Sequence, residues 1–501
     1  MRGPQIAGSG RNGTLRSGSG PDSAEVRGAE WLPASVPADQ HSGRVRPVTT
    51  PPTGTSQHRE VLRLAVPAFL ALVAEPLFLM ADSAIVGRLG VAPLAGLGVA
   101  SAVLLTGVNV FVFLAYGTTA VVARQLGAGS RAGAVAAGID GTWLAVVLGA
   151  VTSGAVALAA HPLASLFGAS PAALEQAATY LRISALGIPA MLVVLATTGV
   201  LRGLQDTRTP LVAAVAGFSL NIVLNIWFVH GLGWGIAGSA WGTVIAQTGM
   251  AAALLTILVR EAARESVPLR AHPGRVLAAA RGGVPLLVRT MALRAVLLLT
   301  TWVAAGLGDV PLAAYQVTAT IWSFLAFALD AIAIAGQAIT GKTLGAGDVD
   351  TTRAATSLML RWGVLVGIVL GLVVLAVHPW VGPLFTTDAA VQSAIAAGLV
   401  VIGLSQPLSG FVFVVDGVLI GAGDGPWLAR AMAALLVIYL PLALAVRAAG
   451  DWLLEGGTVE GQVQAVIWLW VAFTLFMSAR GALMWLRVRT DRWMVTGATL
   501  S

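Results

Sequence analysis

The chain contains no cysteine, which excludes disulfides, thiolate metal sites and cysteine nucleophiles together. Charge is nearly as scarce: 11% of the 501 residues are Asp, Glu, Lys or Arg, against about 25% in an average soluble domain. Lys342 is the single lysine among 30 basic residues, the rest being arginine. Histidine occurs at six positions: His41, His58, His161, His230, His272 and His378. The apolar pattern puts all of them in a tail or in loops, so neither a histidine proton relay nor a histidine metal cluster is expected inside the protein. What remains is apolar. Hydrophobic residues make up 57% of the chain and the mean hydropathy is +0.83. A soluble protein of this size could not hide that much apolar surface, and a bilayer is the solvent that removes the difficulty. The pI of about 10.8 does not point to nucleic acid, because the arginines are scattered through short loops instead of forming a patch.

Residues 1–55 are rich in Gly, Ser, Pro and Arg and hold no apolar run, so a disordered tail is expected there. It lacks the apolar core of a signal peptide. Crossing a hydrocarbon layer about 30 Å thick takes about 20 helical residues. Twelve runs qualify: 62–87, 95–123, 133–159, 174–201, 209–229 and 236–259, then 283–307, 311–341, 355–377, 389–420, 427–448 and 462–487. Basic residues gather in every second connection, at Arg59, Arg124, Arg131, Arg202, Arg208, across the linker 260–282, and at Lys342, Arg353 and Arg487. The alternate connections are mostly acidic. Positive loops face the cytoplasm, so both termini are expected there.

The sequence repeats at an offset of 218 residues. Pro67 falls on Pro285, LGVAPLA (89–95) on LGDVPLA (307–313), and LGAG (126–129) on LGAG (344–347). Pro189 falls on Pro407, and GVLRGLQD (199–206) on GVLIGAGD (417–424). One constant offset across separate segments marks a duplication. The expected fold is therefore all-α and integral to the membrane, with twelve transmembrane helices as two parallel-repeat six-helix bundles, 57–259 and 283–490, flanking a central cleft. Such a cleft is the geometry of alternating access.

Charges within the spans are costly, about 2.5–3.5 kcal/mol each on insertion scales, and so mark function by default. Asp82 stands out, six residues after the helix-kinking Pro76. Desolvation disfavours a charged carboxylate, so Asp82 could carry a proton across the protein. It could equally reach water at the outer surface. Asn221 and Asn225, at i and i+4, share a helix face and either line the same cavity or bond between helices. Glu75 lies one residue before Pro76, and Asp140 lies close to Arg131 and is expected to serve structure. In the second half, Arg289, Arg294, Asp330 and Asp416 all fall inside spans. Arg289 is expected to pair with Asp330 or Asp416, since an unpaired buried charge is very costly. Tyr116 and the aromatics Phe78, Phe111, Phe113, Trp322, Phe324, Phe327, Phe411 and Phe413 either line a cavity for flat cations or pack against helices.

The stretches EPLFLMADSAIVGRLG (75–90), GVLRGLQDTRTPL (199–211), NIVLNIWFV (221–229), LDAIAIAGQAITGKTLGAG (329–347) and VVDGVLIGAGD (414–424) carry a resemblance. The chain resembles the multidrug and toxic compound extrusion (MATE) family, in its DNA-damage-inducible F-like (DinF-like) bacterial branch, over about residues 57–490. The resemblance implies an antiporter that expels amphipathic or cationic compounds as protons or sodium ions enter. It assigns the coupling carboxylate to Asp82, and Asn221 matches the branch's fifth-helix pattern. The residues themselves make Glu75, Asn221, Asn225 and Tyr116 the candidate polar groups of the cavity. The branch's usual fifth-helix Asp is replaced here by Asn225. The sodium-coupled branch fits less well, because span seven carries Arg289 and Arg294 and no acid, although Asp416 matches its tenth-helix Asp.

The reading is thus a proton-coupled exporter acting on a small organic substrate, with no cofactor, metal or nucleic acid, functioning as a monomer in a bacterial inner membrane. A lipid-linked sugar flippase is the alternative that Arg289 and Arg294 keep open. An intramembrane enzyme would need clustered Asp motifs or a His–acid pair, and the sequence has neither.

Overall fold

The computed structural model describes residues 54–456 and 458–499, so the expected tail lies outside the described residues up to position 53. The first half comprises α1 (Gly54–Gly87), α2 (Val91–Phe111), α3 (Phe113–Gly127), α4 (Arg131–Ser165), α5 (Pro171–Ala185), α6 (Ile188–Gly203), α7 (Arg208–Ile226) and α8 (Gly235–Arg264). The second comprises α9 (Pro273–Gly306), α10 (Asp309–Gly345), α11 (Val349–Phe385), α12 (Ala389–Gly421), α13 (Gly425–Leu453) and α14 (Val459–Val488). No strand occurs among the described residues. Helices are what such sequences must form, since hydrocarbon offers no partner to a free backbone amide.

Eleven spans are long and apolar enough to cross a membrane, α2 and α3 counting as one run. The twelfth is α5 with α6, bent by 54° between Ala185 and Ile188. α7 ends in a π-turn, Trp227–Gly231. Several helices overrun the apolar runs. α8 reaches Arg264 and α9 starts at Pro273, so the non-helical connection between the halves is 265–272 rather than 260–282. His161, His378 and His58 consequently sit in helices instead of loops, and His230 in the π-turn, while His41 lies outside the described residues. Hydropathy marks the hydrocarbon crossing, whereas a helix continues until its hydrogen bonding is stopped.

The duplication is physical as well as textual. α1 packs on α7 as α9 packs on α13; the α5–α6 pair packs on α4 and α8 as α12 packs on α11 and α14. Turn chemistry repeats too. Ser130 and Ser170 cap α4 and α5 by accepting the N–H of Gly133 (3.0 Å) and Ala173 (3.3 Å). At the same offset, Asp348 and Asp388 cap α11 and α12 by accepting the N–H of Thr351 and Val391, both at 2.9 Å. The turn after α6 holds Gln205 at φ 67°, and its counterpart Gly423 has φ 79°.

The halves meet where α1 and α3 pack on α10 and where α3 packs on α9. At the arginine-bearing ends, the basic face, Gly127 touches the Lys342 backbone and Gly345 touches the Arg124 backbone. Each partner of this double contact is 218 residues from its counterpart, so the pseudo-twofold axis passes between α3 and α10. Neither glycine has room for a Cβ, and the basic face is closed there. The C-terminal segment seals it. The fully buried Arg124 guanidinium donates to the carbonyls of Ala422 (2.7 Å), Gly497 and Thr499 (both 3.2 Å). Gln125 donates to the Ala498 carbonyl at 3.2 Å, and the Gly497 N–H to that of Leu344 at 3.1 Å.

Candidate functional site

Asp82 lies five residues before the end of α1, past Pro76, and is 3% exposed. Its Oδ1 accepts from Asn225 Nδ2 at 2.6 Å and from Ser239 Oγ at 2.7 Å. Tyr180 OH faces Oδ2 at 3.5 Å. Asn221 donates to Thr243 Oγ1 at 3.0 Å, and Thr243 in turn donates to the Ser239 carbonyl. Four helices, α1, α5, α7 and α8, thus converge on one carboxylate inside the first half. The i, i+4 spacing of Asn221 and Asn225 sets both amides on the face of α7 that meets α8. All described hydrogen-bond donors to Asp82 are neutral. The side-chain oxygens of Asn221, Asn225 and Ser184 have no partner among the described residues. A buried carboxylate that faces neutral donors and no counter-ion can gain or lose a proton without breaking an ion pair.

The second half treats its acids differently. Of the two acids within reach of Arg289, Asp416 is the partner: Nε donates to Oδ1 at 3.1 Å, and a second guanidinium nitrogen reaches Oδ2. Arg480 Nη2 joins at 3.2 Å from Oδ1. Arg480, Arg289 and Asp416 come from α14, α9 and α12 and are all under 10% exposed. Tyr116 does not join the Asp82 group. Its hydroxyl donates to Asp330 Oδ2 at 3.3 Å across the two halves, its ring lies 6.0 Å from the Arg289 guanidinium, and its carbonyl accepts from Gln337 at 2.5 Å. Arg202, in the last turn of α6, sits within Coulombic range of Asp330. The junction of the halves therefore gathers Arg202, Arg289, Arg480, Asp330, Asp416 and Tyr116.

Two of the candidate residues stay outside both groups. Glu75 is exposed on α1, and Arg294 has no ion-pair partner among the described residues. Asp140 takes its partner from elsewhere than expected: Arg275 at 3.1 Å instead of Arg131, which pairs with Glu261 and Glu265 across α4 and α8. The aromatics do not converge either. Phe78 stacks on Phe218 at 5.1 Å, Trp322 borders a cavity of about 160 Å³ within the second half, and Phe113 borders a separate one of about 580 Å³ between α3, α4 and α9.

Sequence reading missed Tyr180, Ser239, Thr243, Arg202 and Arg480. Arg480 carried a signal, being a charge deep inside the run 462–487. Arg202 looked like a loop cation because the apolar run stops at Leu201, one residue short of it. Ser239 and Thr243 are another i, i+4 polar pair within an apolar helix, the same signal that singled out Asn221 and Asn225.

Comparison with known proteins agrees with this architecture. The MatE family model matches residues 67–227 and 285–445, two segments that are themselves 218 residues apart. The chain is 32% identical to "Protein DETOXIFICATION 44, chloroplastic" of Arabidopsis thaliana, over 84% of this chain and 80% of that one. It is 30% identical to "DNA damage-inducible protein F" of Escherichia coli K12, over 85% of this chain and 91% of that one. A structure described as the outward-facing conformation of a multidrug resistance MATE family transporter superimposes with a TM-score of 0.76 at 21% identity, covering 88% of this chain and 97% of the other.

Proposed function

The chain belongs to the MatE family of multi-pass membrane transporters, and from that premise we propose an antiporter that exports small amphipathic or cationic organic compounds in exchange for protons carried on Asp82. The observation that supports this reading most is the Asp82 cluster: a carboxylate 3% exposed that accepts hydrogen bonds from Asn225 and Ser239 and, among the described residues, from no cation. Protonation would leave the amide and hydroxyls in place with one acceptor fewer, so the site changes charge at small structural cost. The change can then bias α1, which bears Asp82 and also packs on α10 of the other half. Coupling of this kind requires only that the two access states differ in their affinity for the proton.

The basic face is taken as cytoplasmic, which puts both termini there and Asp82 in the outer half of a bacterial inner membrane. Protons would then enter from the outside as substrate leaves. Sodium coupling is disfavoured because Asp416, the acid that would serve it, already accepts from Arg289 and Arg480. The same pairing weighs against the flippase, since those guanidinium groups are engaged by a carboxylate instead of awaiting a pyrophosphate. The chain acts as a monomeric transporter and catalyses no covalent step.

Inverted vesicles with an acid-loaded lumen test the reading. Addition of an organic cation should release protons from the lumen, and Asp82→Asn should abolish that release. Unimpaired export by the variant would overturn the role of Asp82. Export of an undecaprenyl-linked sugar with no response to organic cations would replace the exporter by the flippase.

A further inference from the structure

The larger cavity, about 580 Å³ between α3, α4 and α9, is separate from the Asp82 site and falls in the size range of ligand pockets, about 300–1,000 Å³. Part of its wall is apolar: Phe113, Leu114, Leu144 and Leu286. Its polar end carries Asp140, Arg275 and Arg281, with Gln125 farther along α3. The turn between α12 and α13 and the C-terminal Ala498 and Thr499 close the rest.

The polar end is a built site with vacant valences. Asp140 is 6% exposed; its Oδ2 meets Arg275 Nε at 3.1 Å, while its Oδ1 is buried without a partner. A buried carboxylate oxygen with no donor costs free energy until a ligand supplies one. Arg281 is exposed and has no ion-pair partner among the described residues. Two arginines against one acid leave this end at +1, which repels an organic cation and suits a phosphate.

We propose that this cavity binds one glycerophospholipid of the leaflet at the basic face. Its acyl chain lies between α3, α4 and α9, its phosphate rests on Arg281 and Arg275, and a donor in its headgroup reaches Asp140 Oδ1. The required ligand chemistry is a phosphate beside an N–H or O–H donor on an apolar chain. Phosphatidylethanolamine and phosphatidylglycerol supply it; phosphatidylcholine has the phosphate but no donor. Because Asp82 does not line this cavity, the proposal stands or falls separately from the transport reading.

The full chain, reconstituted with equal phosphatidylethanolamine, phosphatidylglycerol and phosphatidylcholine and then released into detergent, is read by native mass spectrometry. The wild type should retain one phosphatidylethanolamine or phosphatidylglycerol, the preference showing which donor is used. Arg281→Ala should lower retention about tenfold through the lost charged contact. Gly282→Leu fills the cavity from a position with no atom within 4 Å of a new Cβ. It should abolish retention while leaving thermal unfolding in lipid-free detergent unchanged. Equal retention of phosphatidylcholine, full retention by Gly282→Leu, or displacement of the lipid by inorganic phosphate alone would each overturn the proposal.

Discussion

Asp82 and Asp416 are both buried carboxylates on spans related to one scaffold, yet their surroundings are opposite. Asp82 accepts from an amide and a hydroxyl; Asp416 accepts from two guanidinium groups. At the offset of 218, Asp82 falls on Thr300 and Asn221 on Tyr439, and these two bond to each other at 2.7 Å as a neutral pair. The second half thus shares the packing of the first with a neutral pair in place of its acid, and holds its ion cluster elsewhere. A carboxylate between two arginines cannot take up a proton without breaking ion pairs, whereas one among neutral donors can. The duplication supplies two similar bundles, and they differ in their polar contents.

The largest test of this contrast is Asp416→Asn. It removes the carboxylate that Arg289 and Arg480 share and leaves them buried with only the more distant Asp330 among the acids of their cluster. It should cost about 3–5 kcal/mol of stability, read as a large drop in thermal unfolding temperature in detergent. The parallel substitution Asp82→Asn keeps an oxygen for Asn225 and Ser239, so its stability should change by only about 1 kcal/mol while coupled export disappears. Equal destabilisation by the two would erase the distinction. Asn225→Asp sharpens it further by placing two carboxylates 2.6 Å apart in the Asp82 site. The pH profile of transport should then show two protonation steps instead of one, the pair titrating as a unit.

A smaller effect is expected at the seal of the basic face. Arg124→Ala removes the donor to Ala422, Gly497 and Thr499, and should expose the C-terminal segment to limited proteolysis at a cost of about 1–3 kcal/mol. The smallest separates the helix caps. The Asp348 carboxylate is held below its usual range by its hydrogen bonds to Thr351, so its contribution is present above the unfolded value near 3.8 and lost as pH falls through the folded one. Asp348→Ser copies the cap of the first half, Ser130. It should leave stability at neutral pH within about 1 kcal/mol and remove the acid-dependent part, measured as unfolding temperature against pH.

Much of the fold was legible before any coordinates because bilayer solvation is unforgiving. Runs such as 355–377 have no other stable form than a spanning helix, and the paired turns at 126–129 and 344–347 betray the duplication by identity alone. Span limits were less legible, as α8 and α9 show by extending well into the expected linker. Asp82, Asn225 and Asp416 were visible as candidates since each is a costly residue in an apolar helix. Their partners were not. Tyr180 and Ser239 reach Asp82 from helices about 100 and 157 positions away in sequence, and periodicity within one helix says nothing of which face of another it meets.

The amino-acid sequence by itself determined that this chain spans a bilayer about twelve times, as two copies of one unit, because apolar length and a constant offset are properties of the chain alone. Only the tertiary structure decided which charges neutralise one another: that Arg289 and Arg480 share Asp416, that Arg275 rather than Arg131 holds Asp140, and that Asp82 meets neutral donors. The reason is that electrostatic energy depends on separation in space and on burial, and helix packing sets both.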